Sequence, residues 1–436
     1  MPLRLLVLSL LFAIPLAAQD ASPKPEVDAA AALITAESLK GHLAVLAGDE
    51  YGGRNSGEAG NVKASEYVAA HFKKIGLKPA GVPDDAGQPT WYQPFTFKAG
   101  RVDVSTRNVL GLLEGSDPAL KSEIVVIGAH FDHVGQAGER NAGRMKNKNA
   151  DPEDKIWNGA DDNGSGTVTV LEIARGFAEG KLRPKRSILF MTFSAEEYGL
   201  HGSKHYAANP TMPLAKTVAM INLDMVGRNG TKPMDVGGVS TAAEWTARCQ
   251  EAAKGTGLEI TLSQPVLPYS DHFPFAARRV PAVHFFTGFH DDYHTQSDHV
   301  EKIEFDHMAK VARFGVRLAS IVADGPRMSY TGSGARTLGV DAEELDDEGA
   351  KTLDLGDGEG GIRIQSVKEG SVASEAGLKK GDVIVSVKGK KLPRIDPLAT
   401  LRSELKTVKD GVDVPIVVLR DGKRVEVKAV WGKVTY

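Results

Sequence analysis

Cysteine is nearly missing from this chain. Cys249 stands alone among 436 residues, so no intrachain disulfide can form. A fold of this length must be held by its own core. Cys249 lies in a helical pattern over residues 242–253 and reads as a small buried apolar side chain, not as a nucleophile. A basic excess is missing too. With 53 Lys and Arg against 56 Asp and Glu, the net charge of −3 argues against a nucleic-acid binder. Beyond the first 18 residues no apolar run is long enough to span a bilayer, so no transmembrane segment is expected. Internal repeats and low-complexity tracts are also lacking.

The N-terminus departs from this pattern. Arg4 precedes an apolar run over residues 5–16, and small Ala17 and Ala18 lead into polar Gln19-Asp20. This is the layout of an export signal over residues 1–18, which predicts a secreted or periplasmic protein. No cysteine follows the run, so no lipid-modified N-terminus is available. Residues 19–28, rich in Pro, Ala and Asp, read as a flexible lead-in.

From residue 29 onward, helical and strand-like patterns alternate. Apolar periodicity predicts helices over 60–75, 167–177 and 305–322, and β-rich runs predict strands over 124–127, 187–192, 217–223 and 281–286. The alternation implies an α/β fold: a mostly parallel central sheet flanked by helices over residues 29–326. A Gly/Ser-rich stretch over residues 328–336 breaks the pattern and places a domain boundary near 327–333. Residues 333–436 then carry short strands (362–367, 383–387, 414–419, 425–430) between Gly and Asp-Gly turns, the texture of a small mainly-β domain.

Five segments concentrate His, Asp and Glu. They are Ala129-His130-Phe131-Asp132-His133, Gly159-Ala160-Asp161-Asp162-Asn163-Gly164-Ser165-Gly166, Ser194-Ala195-Glu196-Glu197, Asn222-Leu223-Asp224-Met225 and Tyr293-His294-Thr295-Gln296-Ser297-Asp298. The first, third and fourth directly follow predicted strands, where open α/β sheets bind their ligands. Imidazoles beside several carboxylates suit zinc or a similar divalent ion, and carboxylates so crowded repel one another unless a cation neutralises them.

Taken in order, the five segments resemble the zinc aminopeptidases with co-catalytic metals, the clan of bacterial leucyl aminopeptidases, aminopeptidase Y and glutamate carboxypeptidase. The resemblance covers roughly residues 36–323. It implies two Zn²⁺ ions per chain: one held by His130 and Asp224, the other by Glu197 and His294, with Asp162 bridging them. Asp161 falls at a variable position and is given no role. Glu196 matches the general base, which would act on a metal-bridging hydroxide. Asp132 matches the Asp that orients the ligand imidazole, and Tyr293 a donor near the developing oxyanion. The implied reaction is hydrolysis of peptide bonds, with peptide or protein N-termini as substrate. A carboxypeptidase or dipeptidase on the same site stays open. A glutaminyl cyclase shares the fold but keeps a single zinc, and a non-catalytic binding protein would be expected to lack a ligand or the base.

Other residues have plainer readings. His201 and His205 suit packing or surface roles on a helix leaving the site, and His284 reads as a satisfied core residue. His272 divides evenly between pocket and packing. Phe285, Phe286 and Phe289 either wall a pocket for a large apolar side chain or belong to the core. The long polar loop over 136–157 reads as a rim of the site, and the glycines of 356–361 as a loop tip.

In the C-terminal unit, the run Ser371-Val372-Ala373-Ser374-Glu375-Ala376-Gly377-Leu378-Lys379-Lys380-Gly381-Asp382-Val383-Ile384 resembles the central stretch of PDZ domains. Arg336-Thr337-Leu338-Gly339-Val340 resembles their carboxylate-binding loop. The resemblance implies a C-terminal peptide as a further ligand.

Overall fold

The computed structural model describes residues 24–140, 151–332, 338–356, 358–368, 371–406, 408 and 412–431. The export signal expected over residues 1–18, the middle of the loop expected as a rim, and Arg336 and Thr337 lie outside the described residues. Two compact units divide the chain, Met1–Ser333 and Gly334–Tyr436.

In the first unit a nine-stranded sheet runs through the centre. Its strands are β1 (Lys78–Pro79), β2 (Tyr92–Ala99), β3 (Val102–Leu113), β4 (Ile124–His130), β5 (Ser187–Phe193), β6 (Thr217–Leu223), β7 (Met234–Gly237), β8 (Ile260–Ser263) and β9 (Ala282–Phe286). The four central strands, in the order β5-β4-β6-β9, are parallel. Each residue of β4, β5 and β6 is buried. Parallel strands covered on both faces need such unbroken apolar runs. Side chains alternate between the faces: Val125, Ile127, Ile188 and Phe190 join one core, and Ile124, Val126, Leu189 and Met191 another. The first core lies under the helices Gly166–Glu179 and Phe305–Asp324, the second under the shorter helices His201–Ala208 and His272–Ala276.

The flanks are mostly antiparallel, although β7 and β8 pair parallel. β2, β1 and β5 pair antiparallel with β3, and β7 pairs antiparallel with β9. The hairpin β2-β3 and the strands β7 and β8 were not expected from the sequence. Pro94 lies inside β2, where an edge position tolerates it. Pro25–Asp28, expected as flexible lead-in, belongs to the helix Pro25–Ala32, which starts with proline in its first turn. Among the described residues, no single helix is long and apolar enough to cross a membrane.

The second unit holds a six-stranded antiparallel sheet. Val340–Glu344 forms one edge, followed by Ile362–Val367, Val383–Val387, Asp413–Arg420 and Lys423–Val430, and the short Lys390–Lys391 pairs with Val383–Val387. Its core includes Leu338, Ile364, Ile384, Leu401, Ile416 and Val418.

Candidate metal centre

Parallel register brings the ends of the central strands level. His130 closes β4 and stands beside Phe193, which closes β5. Glu196 and Glu197 follow β5 within one turn, and Asp224 directly follows β6. Asp162 lies in the turn that opens the helix Gly166–Glu179, and His294 in the loop after β9. Several of these turns are strained. Ala195 (φ 59°), Met225 (φ 51°) and His294 (φ 53°) are non-glycine residues in the left-handed region. Each such residue costs of order 1–3 kcal/mol, and such outliers gather at functional sites.

Two groups of donor atoms result, each lying within 4.8 Å of one another: His130, Glu196 and Asp224, and His133, Asp162, Glu197 and His294. His130 Nε2 is 3.4 Å from Asp224 Oδ1 and 3.4 Å from Asp162 Oδ1. On the other side His294 Nε2 is 2.8 Å from Asp162 Oδ2 and 3.0 Å from Glu197 Oε2. Asp162 thus turns one oxygen to each group. Its buried Oδ2 makes no hydrogen bond although His294 Nε2 is so near. A carboxylate oxygen and an imidazole nitrogen this close without a hydrogen bond between them are what two ligands of one ion present. Imidazole nitrogens and carboxylate oxygens are also the donor set of zinc, so the residues fit the metal.

The adjacent glutamates are driven apart. Burial, together with Glu197, Asp271 and Asp224, holds the Glu196 carboxyl well above its usual range against the pull of His130. Burial also acts on Glu197, but His294 and His133 outweigh it and hold that carboxyl well below its usual range. Two neighbouring carboxylates with opposed environments are suited to two different roles.

Asp132 is fully buried. Its Oδ1 accepts the Glu196 N–H (3.2 Å) and its Oδ2 the Ser56 hydroxyl (3.0 Å). His130 Nδ1 is 3.7 Å from that carboxylate and 3.2 Å from the Asp132 main-chain carbonyl. Asp132 therefore contacts both the ligand imidazole and the segment carrying Glu196. The Tyr293 ring stacks on His294 at 3.9 Å, and burial beside Asp162 and Glu197 pushes its phenol well above the ordinary range, so it keeps its proton.

His133 had been given no role, because the resemblance assigned only the first histidine of its segment. The structure sets it among the donors, its Nδ1 2.9 Å from Glu197 Oε1. A second histidine three residues after the first was the available signal. Asp161, left without a role, accepts the Gly227 N–H (2.7 Å) and lies 3.1 Å from His290 Nε2. Asp298 accepts the N–H groups of Asp161 and Asp162 at 3.0 Å and so fixes the bridging turn.

A cavity opens beside the donors, walled by Met225, Tyr269, His284, Phe286, Phe289 and Tyr293. Phe286 and Phe289 line it, whereas Phe285 packs on Phe314 in the core. His284 is not a satisfied core residue: it lines the cavity and its Nε2 makes no hydrogen bond. His272 lies behind it, stacked at 4.7 Å. His201 and His205 pack on Phe97 and Phe95, away from the donors.

Residues 108–319 match the model of peptidase family M28, and residues 337–430 that of a PDZ domain. Leupeptin-inactivating enzyme 1 of Streptomyces exfoliatus is 29% identical over 255 residues, 58% of this chain and 49% of that protein. Aminopeptidase YwaD of Bacillus subtilis is 28% identical over 244 residues, 53% of this chain and 48% of that protein. The chain spans about half the length of these curated relatives. Among solved structures, a Zn-dependent exopeptidase of Parabacteroides distasonis is similar with a TM-score of 0.53 at 24% identity, covering 66% of this chain and 98% of its own. A glutaminyl cyclase of Porphyromonas gingivalis is similar with a TM-score of 0.53 at 22% identity, covering 66% and 98%. At such identities the likeness speaks for the fold alone, and a peptidase and a cyclase evidently share it. The chain carries a peptidase family M28 region over residues 108–319 and a PDZ domain over residues 337–430.

Proposed function

We propose that this chain is a two-zinc aminopeptidase that removes N-terminal residues from peptides. The observation that carries this reading is Asp162, whose two oxygens face separate donor groups while Glu196 stands beside them. His130 and Asp224 would hold one ion and Glu197 and His294 the other, with Asp162 shared and His133 steadying Glu197. Two ions held there supply Lewis acidity and a water of lowered pKa. Glu196 accepts a proton at its carboxylate and returns it to the leaving amine. Tyr293 donates its phenol hydrogen to the developing oxyanion. Asp132 holds the Glu196 main chain and the His130 ring in place.

The aromatic cavity supports a large apolar N-terminal side chain, and the aminopeptidase among the curated relatives supports exopeptidase action at that end. The PDZ domain supports a C-terminal peptide as a second ligand. Export to the periplasm or medium is part of the same reading, and N-terminal sequencing of the mature protein checks it.

The central test compares Glu196→Gln with Glu197→Gln. The first variant is expected to keep its metals while kcat on a free aminoacyl-arylamide falls by at least about 10²-fold, the scale of general-base loss. The second is expected to lose affinity for one ion. Equal metal content and equal activity in the two variants would refute the assignment, and preference for N-blocked substrates would refute the aminopeptidase reading.

A further inference from the structure

One buried cation near the donors has no part in that chemistry. Arg54 is 1% exposed and lies outside all five acidic and histidine-rich segments. Its guanidinium donates four hydrogen bonds, each to a main-chain carbonyl. Nε reaches Phe131 at 2.7 Å, Nη1 reaches Leu46 and Asn158 at 2.7 Å each, and Nη2 reaches Gly159 at 2.8 Å. Phe131 stands between His130 and Asp132. Asn158 and Gly159 lead into the turn that carries Asp162. One planar fork therefore ties the His130 loop to the Asp162 loop, and ties both to the end of the helix Ala36–Leu46.

The main chain at Arg54 adds to this tie. Its carbonyl accepts the His133 N–H (3.4 Å) and the Asn61 side-chain amide (3.2 Å). Gly52, Gly53 and Arg54 follow one another at φ 49°, 65° and 51°. A Cβ on Gly53 would strike the Gly135 and Trp157 carbonyls, so only glycine admits the close approach that brings Arg54 inward. An arginine held in the left-handed region marks a position over-determined by its surroundings.

Charge works in the same direction. The four acceptors are neutral, and the positive charge is felt by Asp298, Asp162, Asp132 and Glu197. Burial lowers the Arg54 pKa to about 10, with those carboxylates opposing, so the group is cationic at neutral pH.

We propose that Arg54 is the positioning residue of the metal centre: it sets the spacing between the loops carrying His130 and Asp162, and thereby the separation of the two donor groups. The proposal rests on the reading of those groups as metal ligands. A lysine would keep the charge but offers three donors on one nitrogen, too few and too close together to hold all four carbonyls.

The experiment measures zinc affinity by chelator competition in the full chain, for the wild type, Arg54→Lys and Arg54→Ala. Affinity is expected to fall about 10–100-fold in both variants, the usual scale for a residue supporting metal ligands from behind. kcat should fall with KM nearly unchanged. Millimolar guanidinium should restore affinity to Arg54→Ala, and ammonium at the same concentration should not. Wild-type zinc affinity in Arg54→Lys, or equal rescue by the two cations, overturns the proposal. Failure of both variants to fold, judged by far-UV circular dichroism, also overturns it, by assigning Arg54 to the architecture of the unit alone. A wild-type chain that binds no zinc is a distinguishable result, which overturns the metal reading and the proposal with it.

Discussion

Buried carboxylates occur in both units of this molecule, on opposite terms. In the second unit each has its own cation. Asp382 is 2% exposed and accepts Arg420 through both oxygens, at 2.8 and 2.7 Å, and Glu359 accepts Arg424 at 2.6 Å and Lys391 at 3.3 Å. Burial acts to raise both carboxyls, but these partners outweigh it and hold them below their ordinary values. In the first unit, Asp162 and Glu196 face other carboxylates, and burial and those neighbours raise them. Burial alone is not the cause. Glu172, fully buried in the same unit, is paired with Arg175 and Ser38, and its carboxyl is lowered to about 2 despite burial. A carboxylate that has its counter-charge is part of the architecture. A cluster that lacks enough of it is completed from outside the chain, which is why the acidic cluster reads as a metal centre.

That contrast can be broken most severely at Asp162. Asp162→Ala removes a residue that touches both donor groups. Metal per chain should fall from about two, the expectation for such a site, to below one, a larger loss than in His130→Ala or His294→Ala. Elemental analysis of the purified variants reads this directly. Chelation should also lower the melting temperature of the first unit, since ions bound at a thousand times their dissociation constant add about 4 kcal/mol. An Asp162→Ala chain that keeps both ions would remove the basis of the comparison.

The second unit should answer in the opposite sense. Arg420→Ala strips Asp382 of a charged two-pronged partner and should cost about 1.5–3 kcal/mol, the scale of hydrogen bonds to charged groups. For a domain of this size each kcal/mol moves the melting temperature by roughly 4–8 °C. Zinc affinity and turnover of small arylamides should not change. Calorimetry paired with metal titration on one sample of the variant would expose any cross-effect, and a loss of zinc affinity there would mean that the two kinds of carboxylate are not independent.

The central strands were legible because they are buried on both faces. Each reads as an unbroken apolar run, and the candidate site residues sit where those runs stop: His130 at the end of β4, Glu196 and Glu197 just past β5, Asp224 just past β6. The hairpin β2-β3 was harder to read, since a proline and a polar half hide its alternation at the sheet edge. His133 and Arg54 were not found for a different reason. Their roles depend on partners 64 and 77 residues away in the chain, Glu197 and Phe131; the spacing of His133 from His130 hinted at its place, whereas Arg54 sits in no local pattern that announces it. His284 misled in the other direction: a histidine on a buried strand resembles core until the cavity beside it is seen.

The smallest expected effect concerns the two units acting on one substrate. An aminopeptidase site takes a free N-terminus, and a PDZ groove takes a free C-terminus, so one extended peptide carries both features. In the usual mode the peptide adds a strand to a sheet edge, and Val340–Glu344 is such an edge, preceded by Leu338 and by Gly339 at φ 78°. Holding the tail of a peptide raises the local concentration of its head, which lowers KM without altering the chemical step. Long peptides with an apolar C-terminal residue should therefore show a several-fold lower KM than the same peptides amidated at that end, at equal kcat. Aminoacyl-arylamides, too short to present a tail, should be indifferent to an added competing C-terminal peptide, while the long substrates should lose their advantage. Steady-state kinetics on the intact chain measures both. Identical KM values for free and amidated long peptides would show that the second unit serves a partner other than the substrate.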